Sequence, residues 1–123
     1  MNSSTYYPKI QKIADTYGYD AQSRQCIEEM AELTQAINKF WRKQMMCGFV
    51  SHDVIKAEET EKSKLSDEKG YQNLVEEIAD VQIMLWQIAY LLNADVTPII
   101  EQKLDRQLER IEKSNDKRRV NSR

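Results

Sequence analysis

From Cys26 to Trp41 the apolar residues Cys26, Met30, Leu33, Ile37, Phe40 and Trp41 return every three or four positions. That spacing fits an amphipathic helix and not the alternation of a half-buried strand. With only three Gly and two Pro in 123 residues, a chain of this pattern has few points at which to turn. No strand alternation appears elsewhere. The sequence therefore predicts an all-α fold packed as a helical bundle.

Four main helices are expected. Pro8 suits a first helical turn and opens a short helix ending near Gly18. A long helix follows from Asp20 or Ala21 to about Met46, with Gly48 as its stop. Residues 49–71 are polar and highly charged, and read as a connecting insertion with at most a surface helical turn over 54–64. A third helix is expected from about Tyr71 to Leu92, ended by Asn93. Thr97 then reads as an N-cap and Pro98 as the first residue of a fourth helix, which carries Ile99, Ile100, Leu104, Leu108 and Ile111. Residues 1–113 are expected to form a single domain, and 114–123 a basic, frayed tail.

A formal net charge of −2 gives no global basic field of the kind that binds nucleic acid. The local basic cluster at Lys117, Arg118, Arg119 and Arg123 reads as a solvated tail. No apolar run is long enough to span a bilayer, so no membrane partner is expected. The opening MNSSTYYPKI lacks the charged-then-apolar layout of a secretory signal. Cys26 and Cys47 do not form a CxxC pair; Cys26 reads as a core residue, and free thiols suit a reducing cytoplasm.

Two segments match at an offset of 48 residues: Ile27–Ile37 (IEEMAELTQAI) and Val75–Leu85 (VEEIADVQIML). At roughly 100° per residue, Glu29 and Glu32 share a helix face with Leu33, Ala36 and Phe40. Glu77 and Asp80 share one with Val81, Met84 and Ile88, while Glu28 and Glu76 fall to the side. Each helix thus turns two acids toward the bundle interior. A buried carboxylate without a partner is costly or becomes neutral. A hard divalent cation offsets the repulsion among four such groups, and oxygen ligands with positions left for water and phosphate fit Mg²⁺, with Mn²⁺ as a substitute. Solvent-facing acids beside the stripe are the alternative. A di-iron bundle would need Glu-x-x-His, and the only histidine, His52, lies in the polar insertion.

The paired motif EEMAE and EEIAD resembles the Glu-Glu-x-x-Glu and Glu-x-x-Asp signature of the MazG-like all-α nucleoside triphosphate pyrophosphohydrolases, over about Gly18–Arg110. The superfamily includes the dimeric dUTPases and phosphoribosyl-ATP pyrophosphohydrolase. The resemblance implies the MazG-like helical architecture, a homodimer or homotetramer, and Mg²⁺-dependent hydrolysis of a nucleoside triphosphate to the monophosphate and pyrophosphate. It implies Glu29, Glu32, Glu77 and Asp80 as catalytic metal ligands, with Glu28 and Glu76 in an outer shell. Gln22 matches an upstream Gln that contacts substrate. EQKLDRQLER resembles the family's Asn-x-Lys-(apolar)-x-Arg-Arg segment, which makes Lys103 and Arg106 triphosphate ligands, although Glu101 and Gln107 depart from the pattern. Trp41 is the first candidate to stack on the base, then Tyr6, Tyr7 and Tyr71, with core or interface packing the alternative for each; Trp86 points away from the acidic face, toward an oligomer interface. A dUTP- or phosphoribosyl-ATP-specific hydrolase and a non-catalytic helical interaction module are the alternatives.

Overall fold

The structure is a computed structural model that describes residues 5–46 and 69–121, and the side chains of 5–43 and 69–119. Three helices account for it: α1 (Tyr7–Met46), α2 (Lys69–Leu91) and α3 (Thr97–Asn121). The fold is all-α, as the periodicity predicts. Where two helices are expected on either side of Gly18, a single element is interrupted there. The expected stop at Gly48, the surface turn over 54–64, Cys47 and His52 lie outside the described residues.

Gly18 causes that interruption. Its φ of 83° and ψ of 170° fall where a Cβ is strongly disfavoured. A Cβ at this position meets nothing within 4 Å, so a substitution is opposed by backbone strain alone. Gly18→Ala is therefore expected to destabilise the protein by about 1–3 kcal/mol. Urea unfolding reads this directly, and an unchanged midpoint would show that the break relaxes freely.

The chain divides into two compact units, residues 1–92 and 93–123. The first is an antiparallel pair of α1 and α2. Gln22 meets Gln87, whereas Phe40 meets Tyr71, so numbers rise along one helix as they fall along the other. The contact seam of α1 runs through Cys26, Glu29, Leu33, Ala36 and Phe40, and that of α2 through Leu74, Glu77, Val81, Met84 and Ile88; all ten are buried or half-buried. Steps of three and four along both helices are the geometry of a left-handed two-helix seam. Small residues at Ala14, Cys26 and Ala36 are buried and allow close approach.

Aromatic pairs bind the segment before Gly18 to the far end of α2. Tyr6 stacks on Trp86 with centroids 6.0 Å apart, and Tyr7 meets Tyr90 edge-on at 6.3 Å. Such contacts contribute about 0.5–1.5 kcal/mol each beyond burial. The Tyr90 hydroxyl donates to both oxygens of Asp15, at 3.0 and 2.9 Å. That bond, with burial, raises the Tyr90 pKa.

The second unit holds α3. Asn93, at φ 51°, separates it from α2, in keeping with its expected role as a stop. The cap differs from expectation. The Val96 carbonyl accepts the Ile100 N–H at 2.9 Å, and the Asp95 carboxylate accepts the Thr97 N–H at 3.1 Å. Thr97 is thus the first helical residue, and Asp95 satisfies the free donor. Pro98 still falls in the first turn, where it costs no hydrogen bond. The helix continues through Ser114 to Asn121. Glu109 and Lys113 stand four apart with favourable orientation, and Arg118 and Arg119 oppose the negative end of the helix dipole. Among the described residues no helix is long and apolar enough to cross a membrane.

Candidate metal centre

The two seams each place one carboxylate where an apolar side chain would ordinarily stand: Glu29 in α1 and Glu77 in α2. Both are half-buried, and Glu32 joins them from an exposed position one turn along α1. Each of the three offers one oxygen, and these oxygens lie within 4.8 Å of one another. Repulsion at this range is opposed by no cation side chain that the sequence places on these seams.

Two further observations bear on whether a divalent cation fits. Glu29 Oε2 and Glu77 Oε2 are buried and accept no hydrogen bond. Orphaned anionic oxygens are rare inside proteins because their desolvation is uncompensated. The other oxygen of Glu29, Oε1, accepts a hydrogen bond from Gln25 Nε2 at 2.9 Å. One oxygen is held by a neutral donor while the other is left for a ligand. An oxygen-only donor set of this kind suits a hard cation such as Mg²⁺ or Mn²⁺.

The electrostatics agree. Burial pushes the Glu77 carboxyl above its ordinary value, and the charges of Glu32, Asp80 and Glu29 push it the same way, as does a hydrogen bond with Glu32. Asp80 is raised by burial and then by the charges of Glu29 and Glu76. Carboxyl groups so placed resist ionisation until positive charge arrives. Burial also raises the Cys26 thiol, one seam position before Glu29.

Three of the four expected ligands therefore converge. Asp80 is exposed and stands outside the group of three, though near enough for its charge to act on Glu77. Glu28 and Glu76 are exposed at the side, as the helical phase predicts. Lys103 and Arg106 are exposed on α3, in the second unit.

Gln22 and Trp41 lie outside the group of three carboxylates. Gln22 is buried, and its Nε2 donates to Gln87 Oε1 at 2.7 Å across the seam. Gln87 in turn contacts Met84 Sδ at 3.7 Å and is only 2% exposed. The Gln22 amide is thus committed to helix pairing. Replacing Gln87 by Leu would leave that amide buried without its partner, with an expected loss of about 1–3 kcal/mol. The double replacement Gln22→Leu with Gln87→Leu should lose less than the single one; chemical denaturation of both variants reads the difference. Trp41 is 57% exposed and sits one position beyond the seam residue Phe40. Its phase places it on the opposite side of the α1 seam from Glu28 and Glu32. Of the other aromatics, Tyr71 packs against Phe40, while Tyr6 and Tyr7 are engaged with Trp86 and Tyr90.

Gln25 and Gln87 escape the motif-based reading. For Gln25 the signal was present, since it stands four residues before Glu29 on a helix. For Gln87 none was, because its partner lies 65 residues away.

Comparison with protein-family models, curated proteins and solved structures finds no match to this chain.

Proposed function

We propose that this chain is a Mg²⁺-dependent nucleoside triphosphate pyrophosphohydrolase of the MazG-like type, acting on an NTP or dNTP in the cytoplasm. The observation that carries the reading is the convergence of Glu29, Glu32 and Glu77 with two buried, unpartnered carboxylate oxygens. Buried carboxylate oxygens that accept no hydrogen bond from the protein need a partner from outside it, which an ion or ion-bound water supplies. The paired acidic motif, which resembles that of the family, supports the same conclusion.

Glu29, Glu32 and Glu77 would hold the ion, and Gln25 donates a hydrogen bond to the Glu29 carboxylate. Bound there, Mg²⁺ would supply positive charge against the phosphates and lower the pKa of water at the site. Asp80 is exposed and outside the group of three, so its carboxylate is free to hold a water. Water attacks the α-phosphorus, the bond to the bridging oxygen of the β-phosphate breaks, and the released proton passes to Asp80. The products are the nucleoside monophosphate and pyrophosphate. No covalent intermediate is required.

A panel of NTPs and dNTPs, with dUTP and phosphoribosyl-ATP included, assayed with Mg²⁺ for pyrophosphate release tests the reading. The wild-type chain should release pyrophosphate from at least one of them, and Glu29→Gln and Asp80→Asn should not. Wild type and variants behaving alike on every substrate, or release of orthophosphate alone, would refute it.

A further inference from the structure

The α1 seam repeats every seven residues. Its spacing runs back from Cys26 to Gln22, so that Cys26, Leu33 and Phe40 form one series and Gln22, Glu29 and Ala36 the other. The α2 seam repeats in the same way, through Leu74, Val81 and Ile88 and through Glu77 and Met84. Such a repeat does not define its own register. Sliding one helix along the other by seven residues, roughly 10.5 Å, returns each seam to an equivalent set of positions. Apolar contacts are non-directional and exchange one such neighbour for another.

Electrostatics favours a slip. In the observed register, oxygens of Glu29, Glu32 and Glu77 lie within 4.8 Å of one another. Glu32 stands ten positions after Gln22, and Glu77 ten positions before Gln87. In an antiparallel pair joined at Gln22 and Gln87, these two acids are therefore level. A slip of seven positions would bring Glu77 level with Lys39 instead. Like charges would part and opposite charges would meet. Without a cation, the register that assembles the three carboxylates is the less favourable one, and a directional contact is needed to hold it.

The Gln22–Gln87 hydrogen bond supplies that direction. It spans 2.7 Å between side chains that are only 8% and 2% exposed. A slip would part the two amides by the same roughly 10.5 Å and forfeit the bond. The Asp15–Tyr90 bond, by contrast, engages the segment before the break at Gly18 and not the seam that carries the acids. A single buried polar pair is a known means of fixing helix register at some cost in stability.

We propose that Gln22 and Gln87 are positioning residues, whose buried bond sets the register of α1 against α2 that makes Glu29, Glu32 and Glu77 converge. They touch neither ion nor substrate. The consequence for an ion rests on the metal reading of these acids; the register does not.

Gln22→Leu with Gln87→Leu in the full chain, studied by circular dichroism, nuclear magnetic resonance and Mn²⁺ titration, tests it. In the wild type the rings of Phe40 and Tyr71, with centroids 6.0 Å apart, should give a nuclear Overhauser effect and a single set of signals. The double variant should keep its helicity. Its Phe40–Tyr71 effect should weaken, and a new one should join Phe40 to Ile78, seven positions on. Mn²⁺ affinity should fall in proportion to the fraction of chains left in the native register, by at least about tenfold. Gln22→Met with Gln87→Met preserves side-chain length, covers the case in which Leu disturbs packing, and should behave alike. A folded variant of either kind that keeps the Phe40–Tyr71 effect alone would overturn the proposal, whatever its Mn²⁺ affinity. So would a shifted register with Mn²⁺ affinity unchanged, or loss of helicity in both variants. A wild type that takes up no Mn²⁺ would sink the metal reading, and the Phe40 contacts would still decide this one.

Discussion

Glu77→Gln is expected to abolish Mg²⁺-dependent pyrophosphate release and, in the same protein, to stabilise the metal-free chain. Loss of a ligand that stabilises transition-state charge forfeits several kcal/mol, and each ~1.4 kcal/mol is tenfold, so turnover should fall on the order of 10³-fold. Stability moves the other way because Glu77 is held among like charges. Burial and the charges of Glu32, Asp80 and Glu29 all oppose its ionisation, and an amide of the same shape removes that opposition. The melting temperature without metal should therefore rise. A residue serving only the fold would show the reverse pattern, with stability lost and activity following it. Thermal unfolding in EDTA beside the pyrophosphate assay separates the two. A variant that is both less stable and fully active would contradict the role given to Glu77.

The second large effect is on pH. Glu77 and Asp80 have folded-state pKa values raised above their ordinary 4.5 and 3.8. For a raised acid, the stabilising contribution is fully present below the unfolded value and is lost as pH rises through the folded one. The metal-free wild type should accordingly lose stability relative to Glu77→Gln as pH climbs above the ordinary carboxylate range. The difference between the two proteins reports Glu77 together with the acids whose charges act on it, Glu32, Asp80 and Glu29. Mg²⁺ should reverse the loss only where the acids are ionised. At ten times its dissociation constant, an ion that binds the folded state alone adds ~1.4 kcal/mol. For a chain of 123 residues, between the sizes at which 1 kcal/mol moves the melting temperature by roughly 4–8 °C and roughly 2–4 °C, that is a rise of several degrees. Unfolding series over pH, in EDTA and in Mg²⁺, should diverge for wild type and coincide for Glu77→Gln. Coincident wild-type curves would remove the electrostatic argument for a cation.

What was legible in the sequence was what helical period alone determines. The seam through Cys26, Leu33 and Phe40 follows from spacing, and so does the choice of Glu29 and Glu77 over Glu28 and Glu76. Gly18 and Asn93 were legible as breaks because their local chemistry tolerates conformations that other residues resist. What depends on register between helices was not. The Gln22–Gln87 bond joins residues 65 apart, and nothing local distinguishes a buried Gln from a surface one. The position of Asp80 outside the group of three is likewise a matter of inter-helix offset, since its phase matches that of Glu32. The run of apolar residues in α1 is wide enough to contain two stripes, Phe40 in the half-buried one and Trp41 in the exposed one.

Titration of the protein with Mn²⁺, followed by the electron paramagnetic resonance signal of the free ion, tests the claim that these acids make a metal site. The wild-type chain should deplete the free signal with saturable stoichiometry, and added Mg²⁺ should restore it by competition. Glu29→Gln and Glu77→Gln should each leave the free signal close to that of buffer. Equal depletion by wild type and by both variants, or no depletion by any of them, would contradict the account.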